Sequence, residues 1–252
     1  MGDYGASAFD VRHHFSFTPT YNIPGRKSPG QILQGWVVSS AILIESGQPW
    51  SAVDTRDLSG TGEFQDRWDF FGNPNDFNAT SNPIPFYPGA ITLSNGTQVI
   101  NPGLPQACVL QATAIGSFNP ANPNNSAGTL FNTGCYASGP GGRSFMIAPA
   151  PGQFGTMAPN LFYGPHFADW DFSIFKNFTV KERLTVQFRA EFFNILNHPI
   201  YANPTAVATN DPSLGSAGQF GCACETPDQA STNPVLGTGA AREIQLGLKL
   251  LF

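Results

Sequence analysis

Charge is scarce in this chain. Only 12% of its 252 residues are Asp, Glu, Lys or Arg, about half the roughly 25% of an ordinary soluble domain. The 12 basic residues form no patch and are outnumbered by 17 acidic ones, which excludes nucleic acid as a partner. No run of ~18 apolar residues occurs, so no helix is expected to cross a membrane. With 27 Gly and 22 Pro, no stretch stays free of helix breakers long enough for a helical bundle. The opening Met1-Gly2-Asp3-Tyr4-Gly5-Ala6-Ser7 has neither the basic nor the apolar region of a secretory signal. Catalytic signatures are also missing: there is no HExxH, no GxSxG and no phosphate-binding Gly-Lys-Ser/Thr. His13 and His14 are adjacent and on a strand point to opposite faces, so they do not share a metal. The chain is expected to be no enzyme and to hold no cofactor or metal.

Aromatic residues are abundant, at 13% with 22 Phe, and they recur with period two. Phe9, Val11, His13, Phe15, Phe17 and Tyr21 alternate with Asp10, Arg12, His14, Ser16, Thr18 and Thr20. Trp36, Val38, Ser40, Ile42 and Ile44 repeat the pattern, as do Trp170, Phe172, Ile174 and Phe178, the last set interrupted by Lys176. Leu184, Val186, Phe188, Ala190 and Phe192 alternate with Arg183, Thr185, Gln187, Arg189 and Glu191. Ile244, Leu246, Leu248, Leu250 and Phe252 alternate with Glu243, Gln245, Gly247 and Lys249. Such alternation marks strands with one apolar and one polar face. The expected strands cover about 8–22, 34–55, 167–179, 183–196 and 241–252. Gly47-Gln48-Pro49 interrupts the second as either a bulge or a tight turn. Residues 57–165 and 197–239, rich in Asn, Pro, Gly and Ser, are expected to be long loops.

A soluble β-sandwich also alternates, but four features favour a transmembrane barrel. The apolar stretches match the ~9–11 residues of a spanning strand. Aromatics sit at stretch ends, where interfacial girdles belong. The polar faces carry charges of both signs, and short and very long connections alternate. The expected fold is therefore all-β: about five or six antiparallel transmembrane strands of a partial barrel, with very long extracellular loops. Phe15, Phe17, Ile42, Phe172, Ile174, Val186, Phe188, Leu246 and Leu248 are expected to face lipid. Asp10, Arg12, Asp169, Asp171, Arg189 and Glu191 are expected to face the lumen. Lys176 and Arg242 share parity with the apolar faces and are expected to snorkel from stretch ends.

The last strand, Gln245-Leu246-Gly247-Leu248-Lys249-Leu250-Leu251-Phe252, resembles the C-terminal assembly signal of bacterial outer-membrane proteins. That resemblance gives Gln245, Gly247, Leu250 and Phe252 the role of presenting the chain to the barrel-assembly machinery. Longer stretches resemble the barrel of Oar-like TonB-dependent outer-membrane receptors. They are Phe9-Asp10-Val11-Arg12-His13, Gly35-Trp36 with Ser46-Gly47-Gln48-Pro49-Trp50, and Gly164-Pro165 with Asp171-Phe172-Ser173-Ile174-Phe175-Lys176-Asn177-Phe178. Phe188-Arg189-Ala190-Glu191-Phe192-Phe193-Asn194 with Asn197-His198-Pro199 continues the likeness, as does Arg242-Glu243-Ile244 through Lys249.

The resemblance implies the bacterial outer membrane, with active uptake of a siderophore, glycan or other large nutrient. The expected partners are the lipid bilayer, the assembly machinery, an unknown ligand, and TonB through a plug domain. That plug is absent from this chain, and five or six strands are too few for a plugged lumen of roughly 22 strands. The expectation is a C-terminal fragment whose N-terminal barrel strands and plug lie elsewhere. A structural, adhesive or porin-like oligomeric barrel is the alternative, and a soluble β-sandwich binding module the third.

Four cysteines fall in the expected outer loops, and an exported compartment permits disulfides. Cys108 with Cys135 is the expected pair, while Cys222-Ala223-Cys224 is open between a short bridge and part of a metal site. Asp54, Asp57, Glu63, Asp66 and Asp69 are expected to form a solvated acidic loop, as no 12-residue Ca²⁺-ligand pattern appears.

Overall fold

A computed structural model describes residues 4–122, 130–139, 141–181, 184–204, 219–227 and 241–252. In chain order its strands are β1 (His14–Phe17), β2 (Thr20–Asn22), β3 (Trp36–Glu45), β4 (Pro49–Trp50), β5 (Asp69–Phe71), β6 (Phe86–Tyr87) and β7 (Ala90–Thr92). They continue as β8 (Gln98–Ile100), β9 (Cys135–Ala137), β10 (Phe145–Ile147), β11 (Phe162–Tyr163), β12 (Phe167–Lys181), β13 (Leu184–Phe193) and β14 (Glu243–Leu251). Two short helices, α1 (Gln106–Ala114) and α2 (Leu130–Thr133), complete the set with two 3-10 turns. No helix of the described residues is long and apolar enough to cross a membrane.

The chain divides into two compact units. The first, residues 11–46, 166–201 and 225–252, is built on one antiparallel sheet in the order β1/β2, β3, β12, β13, β14. β1 and β2 share one position. Pro19 between them has no N–H for the ladder, yet its carbonyl accepts from Ser40 N at 3.0 Å, and the register against β3 continues unbroken. The sheet is all-β as expected, and it is not closed. β1/β2 and β14 are its edges.

Several strand boundaries differ from the sequence reading, each for a local reason. The first strand starts at His14 rather than near residue 8, because Asp10 N turns back to Ser7 O. The second ends at Glu45 rather than 55. Pro49 and Trp50 pair instead with Tyr163 and Phe162 in a separate ladder, which Gly164 N extends by donating to Gln48 O at 2.8 Å. β12 runs on to Lys181, beyond the expected end at 179, through a register shift after Thr179. β13 stops at Phe193, short of 196, because Asn194 and Asn197 take left-handed φ values of 47° and 53°, a conformation Asn tolerates. The last strand is Glu243–Leu251.

The second unit, residues 1–10, 47–165 and 202–224, overturns the expectation that 57–165 is a long loop. It has its own four-stranded sheet, β5-β10-β9-β6, and its own core. Trp50, Trp68, Phe77, Tyr136, Met146, Phe162 and Phe220 are all nearly or fully buried. Tyr136 meets Phe220 at 4.2 Å and Phe86 at 4.8 Å between ring centroids. Trp50 meets Phe162 at 5.1 Å, which explains why the chain leaves the large sheet at Gly47: the indole is worth more buried here than exposed. Phe220 and Cys222 join this core, so 197–239 is not wholly loop either. The rest of that segment lies mostly outside the described residues.

Candidate functional site

Residues directly opposite in an antiparallel sheet point to the same face. On that basis one side of the large sheet is a continuous apolar surface. Phe15 and Phe17 lie opposite Ile44 and Ile42, and Ile42 opposite Trp170. Phe172, Ile174 and Phe178 lie opposite Phe192, Ala190 and Val186. Val186, Phe188 and Ala190 then lie opposite Leu250, Leu248 and Leu246. All nine residues expected to face lipid share this side.

Phe15, Phe17, Phe188, Leu246 and Leu248 are exposed, while Ile42, Phe172, Ile174 and Val186 are half-buried between their sheet neighbours. Phe17 is 52% accessible, Phe188 52%, Leu248 62% and Leu246 78%. Among the described residues, the buried apolar side chains apart from Ile200 all belong to the other unit. In water each such Leu or Phe would forgo about 1.5–3 kcal/mol of burial. β3, β13 and β14 have 10, 10 and 9 residues, within the ~9–11 that span a bilayer, and β12 with 15 runs beyond it. Trp36 and Trp170 lie toward opposite ends of this face.

Lys176 interrupts the apolar face in an unexpected way. It does not snorkel. It is buried, its ammonium donating to the Gln31 and Gln34 carbonyls and lying 5.1 Å and 4.7 Å from the Trp36 and Phe178 ring centroids. Carbonyl acceptors and ring faces replace water around the charge. The segment carrying those carbonyls is pinned by Gln31, whose amide bridges Thr179 O and N at 2.7 and 3.0 Å. Parity flagged the lysine; nothing local in the sequence pointed to its acceptors.

The opposite face is mixed and largely half-buried, with Val37, Leu43, Phe175 and Phe193 among its polar and charged residues. Asp169 and Asp171 of β12, and Arg189 and Glu191 of β13, lie on it. Arg189 Nη2 donates to Glu191 Oε1 at 3.0 Å, and its guanidinium lies 4.9 Å from the Phe175 ring. Asp171 Oδ1 accepts from Asn194 N, while Asp169 Oδ1 is buried with no hydrogen-bond partner among the described residues. His14 Nδ1 and Glu45 Oε1 are 2.6 Å apart, and Gln187 donates to Asn177 at 2.9 Å. Asp10 and Arg12 are corrections: neither is in a strand, and Asp10 belongs to the other unit.

Gln245, Gly247 and Leu250 sit on the edge strand β14, opposite Glu191, Arg189 and Val186. Phe252 lies just beyond it and is 93% accessible.

In the second unit Cys108 of α1 is bonded to Cys135 of β9, and Cys222 to Cys224. The acidic residues expected to be solvated are partly internal: Asp54, Asp66 and Asp69 are buried. Asp54 accepts from Trp68 Nε1 at 2.6 Å and from Arg56 Nη2 at 2.8 Å. Asp66 accepts from Ser59 N, and Asp69 from Thr156 N, each at 2.7 Å. Their lone pairs serve as anchors for loop backbone. No group of three or more His, Cys, Asp or Glu among the described residues is arranged to hold a metal.

Asp57 accepts from Gly62 N at 2.8 Å and Thr61 N at 3.0 Å. The Gly62 N–H, ahead of its other donors, holds its carboxyl below the ordinary 3.8. A lowered value means that the contribution to the turn is complete above 3.8 and is lost as pH falls through the lowered value. The protection of the Gly62 amide, the slowing of its exchange relative to that of an unstructured amide at the same pH, is expected to fall on acidification in that range, and the Asp57→Asn variant to show no such change.

A sheet with a continuous apolar face, charged residues on the opposite face and strands of spanning length fits the wall of an outer-membrane β-barrel. The chain belongs to the outer membrane beta barrel domain family, which matches residues 1–245; it is an outer-membrane β-barrel protein. No curated protein and no solved structure matches it.

Proposed function

We propose that this chain supplies part of the wall and ligand-contacting surface of a TonB-dependent outer-membrane receptor that takes up a large nutrient. The observation that carries this reading is the folded insertion between β3 and β12. These strands are hydrogen-bonded neighbours, yet the residues between them supply most of a second unit, completed by residues 1–10 and 202–224, with its own core and a disulfide. A pore needs no such structure; a receptor needs a shaped surface. β12 and β13 are joined by residues 182 and 183 alone, whereas the connections leaving the other ends of β3 and β13 are long. Since periplasmic turns are short and extracellular loops long, the insertion would emerge outside and Phe252 would end on the periplasmic side. The mixed charges of the polar face suit a filled lumen. Asp169, Asp171, Arg189 and Glu191 would contact its contents, while the bilayer covers the opposite face.

Antibody against this chain, used on outer membranes of the native host, tests the proposal. The expected species is a polypeptide well above 27.0 kDa whose peptide map includes a plug. A 27.0 kDa chain in a compact, heat-modifiable oligomer would instead establish the structural or porin-like reading.

Deleting Phe252 separates assembly from packing. Its ring is almost fully accessible, so the stability of refolded protein is expected to change by less than about 0.5 kcal/mol. The amount reaching the outer membrane in cells is expected to fall sharply, as measured by fractionation. Undiminished assembly would remove Phe252 from that role.

A further inference from the structure

The two open edges of the large sheet run in the same direction. Every pairing in it is antiparallel, so direction reverses at each of the steps from β1/β2 through β3, β12 and β13 to β14. Five strand positions therefore begin and end alike. Antiparallel closure of a barrel requires an even total. A ring of copies inserted in one orientation would join β14 of each to β1/β2 of the next, a parallel seam at every junction.

The charges on β14 specify more. Glu243 and Lys249 lie on the polar face, opposite the uncharged Phe193 and Gln187 of β13. Opposite charges across a strand pair stabilise it and like charges do not. A strand on the outer edge of β14 is thus favoured if it carries a base level with Glu243 and an acid level with Lys249. It must also place apolar side chains beside Leu246 and Leu248, which are 78% and 62% accessible. The polar face of β1/β2 offers His14, Ser16, Thr20 and Asn22, with no carboxylate.

We propose that β14 docks a transmembrane strand from outside this set, antiparallel to it and bearing that charge pattern. The strand belongs to a complementary group that is odd in number and closes the wall against β1/β2. This deepens the receptor reading and rests on its premise that other strands complete the barrel. An antiparallel β14–β14 pair between two copies would also match Glu243 to Lys249. It would, however, invert one copy in the bilayer, placing its long connections on the periplasmic side, against the asymmetry of such barrels.

Benzoyl-phenylalanine placed at position 243 or 249 of the protein in native outer membranes, in the fraction that stays compact before heating, tests this directly. After irradiation and digestion, both positions are expected to mark one strand outside residues 14–251. The site reached from 249 should lie about six residues N-terminal to that reached from 243, as antiparallel pairing demands. Cross-links to β1/β2 or β14 of another copy, sites in the parallel order, or no cross-link in the compact fraction would each overturn the proposal. If the marked strand belongs to a polypeptide lacking a plug, the wall inference stands and the uptake reading falls.

Discussion

Trp68→Ala is expected to unfold the inserted unit. The indole is fully buried, packs 5.9 Å from the Tyr136 ring and donates to Asp54 at 2.6 Å. Removing a buried Trp side chain costs about 3–5 kcal/mol. Withdrawing a donor from a buried carboxylate adds about 1–3 kcal/mol, because Arg56 is left as its main partner. Domain stability is only about 5–15 kcal/mol, so the loss consumes much of it. The expected readout is rapid proteolysis within residues 47–165 and loss of near-ultraviolet dichroism from the aromatic cluster, with strand signal from the large sheet retained. Trp68→Phe, which keeps a ring but not the N–H, should lie between the variant and the parent. Parent-like resistance of Trp68→Ala would mean that this cluster does not hold the unit together.

Ile174→Arg should be the most damaging single charge on the large sheet. Ile174 lies midway along the apolar face, opposite Val38 and Ala190. A guanidinium at mid-bilayer costs about 2–4 kcal/mol, and this position lacks the carbonyl acceptors that surround Lys176. The neighbouring Ser173→Arg puts the same charge on the other face, opposite Glu191 and Ser39, where its cost is expected to be within about 0.5 kcal/mol. Urea unfolding in lipid vesicles measures both. Equal losses, or the reverse order, would mean that the two faces have been assigned the wrong way round.

The sheet was legible because its signal is local. From Val186 to Phe192, or Ile244 to Leu250, each residue's face follows from its neighbours two positions away, and register then aligns strands already marked. The ends were less legible. Asn194 stops β13 by a backbone angle, and Trp50 leaves the large sheet for a ring contact with Phe162, far along the chain. Of the inserted unit, the Cys108–Cys135 pairing was expected, but its fold was not legible. Its strands are two or three residues long, too short for periodicity. Its core comes from Phe70, Phe77, Phe86, Tyr136 and Phe220, scattered among Asn, Gly and Pro, which read as loop until long-range contacts assemble them. The acceptors of Lys176 belong to the same class: two backbone carbonyls have no side-chain signature.

The short ladder between β4 and β11 has a kinetic consequence. It ties the insertion's first residues to its last, immediately beyond Glu45 and Phe167, which face each other at the end of the β3–β12 pairing. Without it, zipping those two strands would close a long flexible tether. Tying the tether's ends beforehand lowers the closure entropy by about 3 kcal/mol. Maturation of residues 47–165 would therefore hasten wall formation, and a lesion in Trp50 or Phe162 would slow it without touching a single residue of the large sheet.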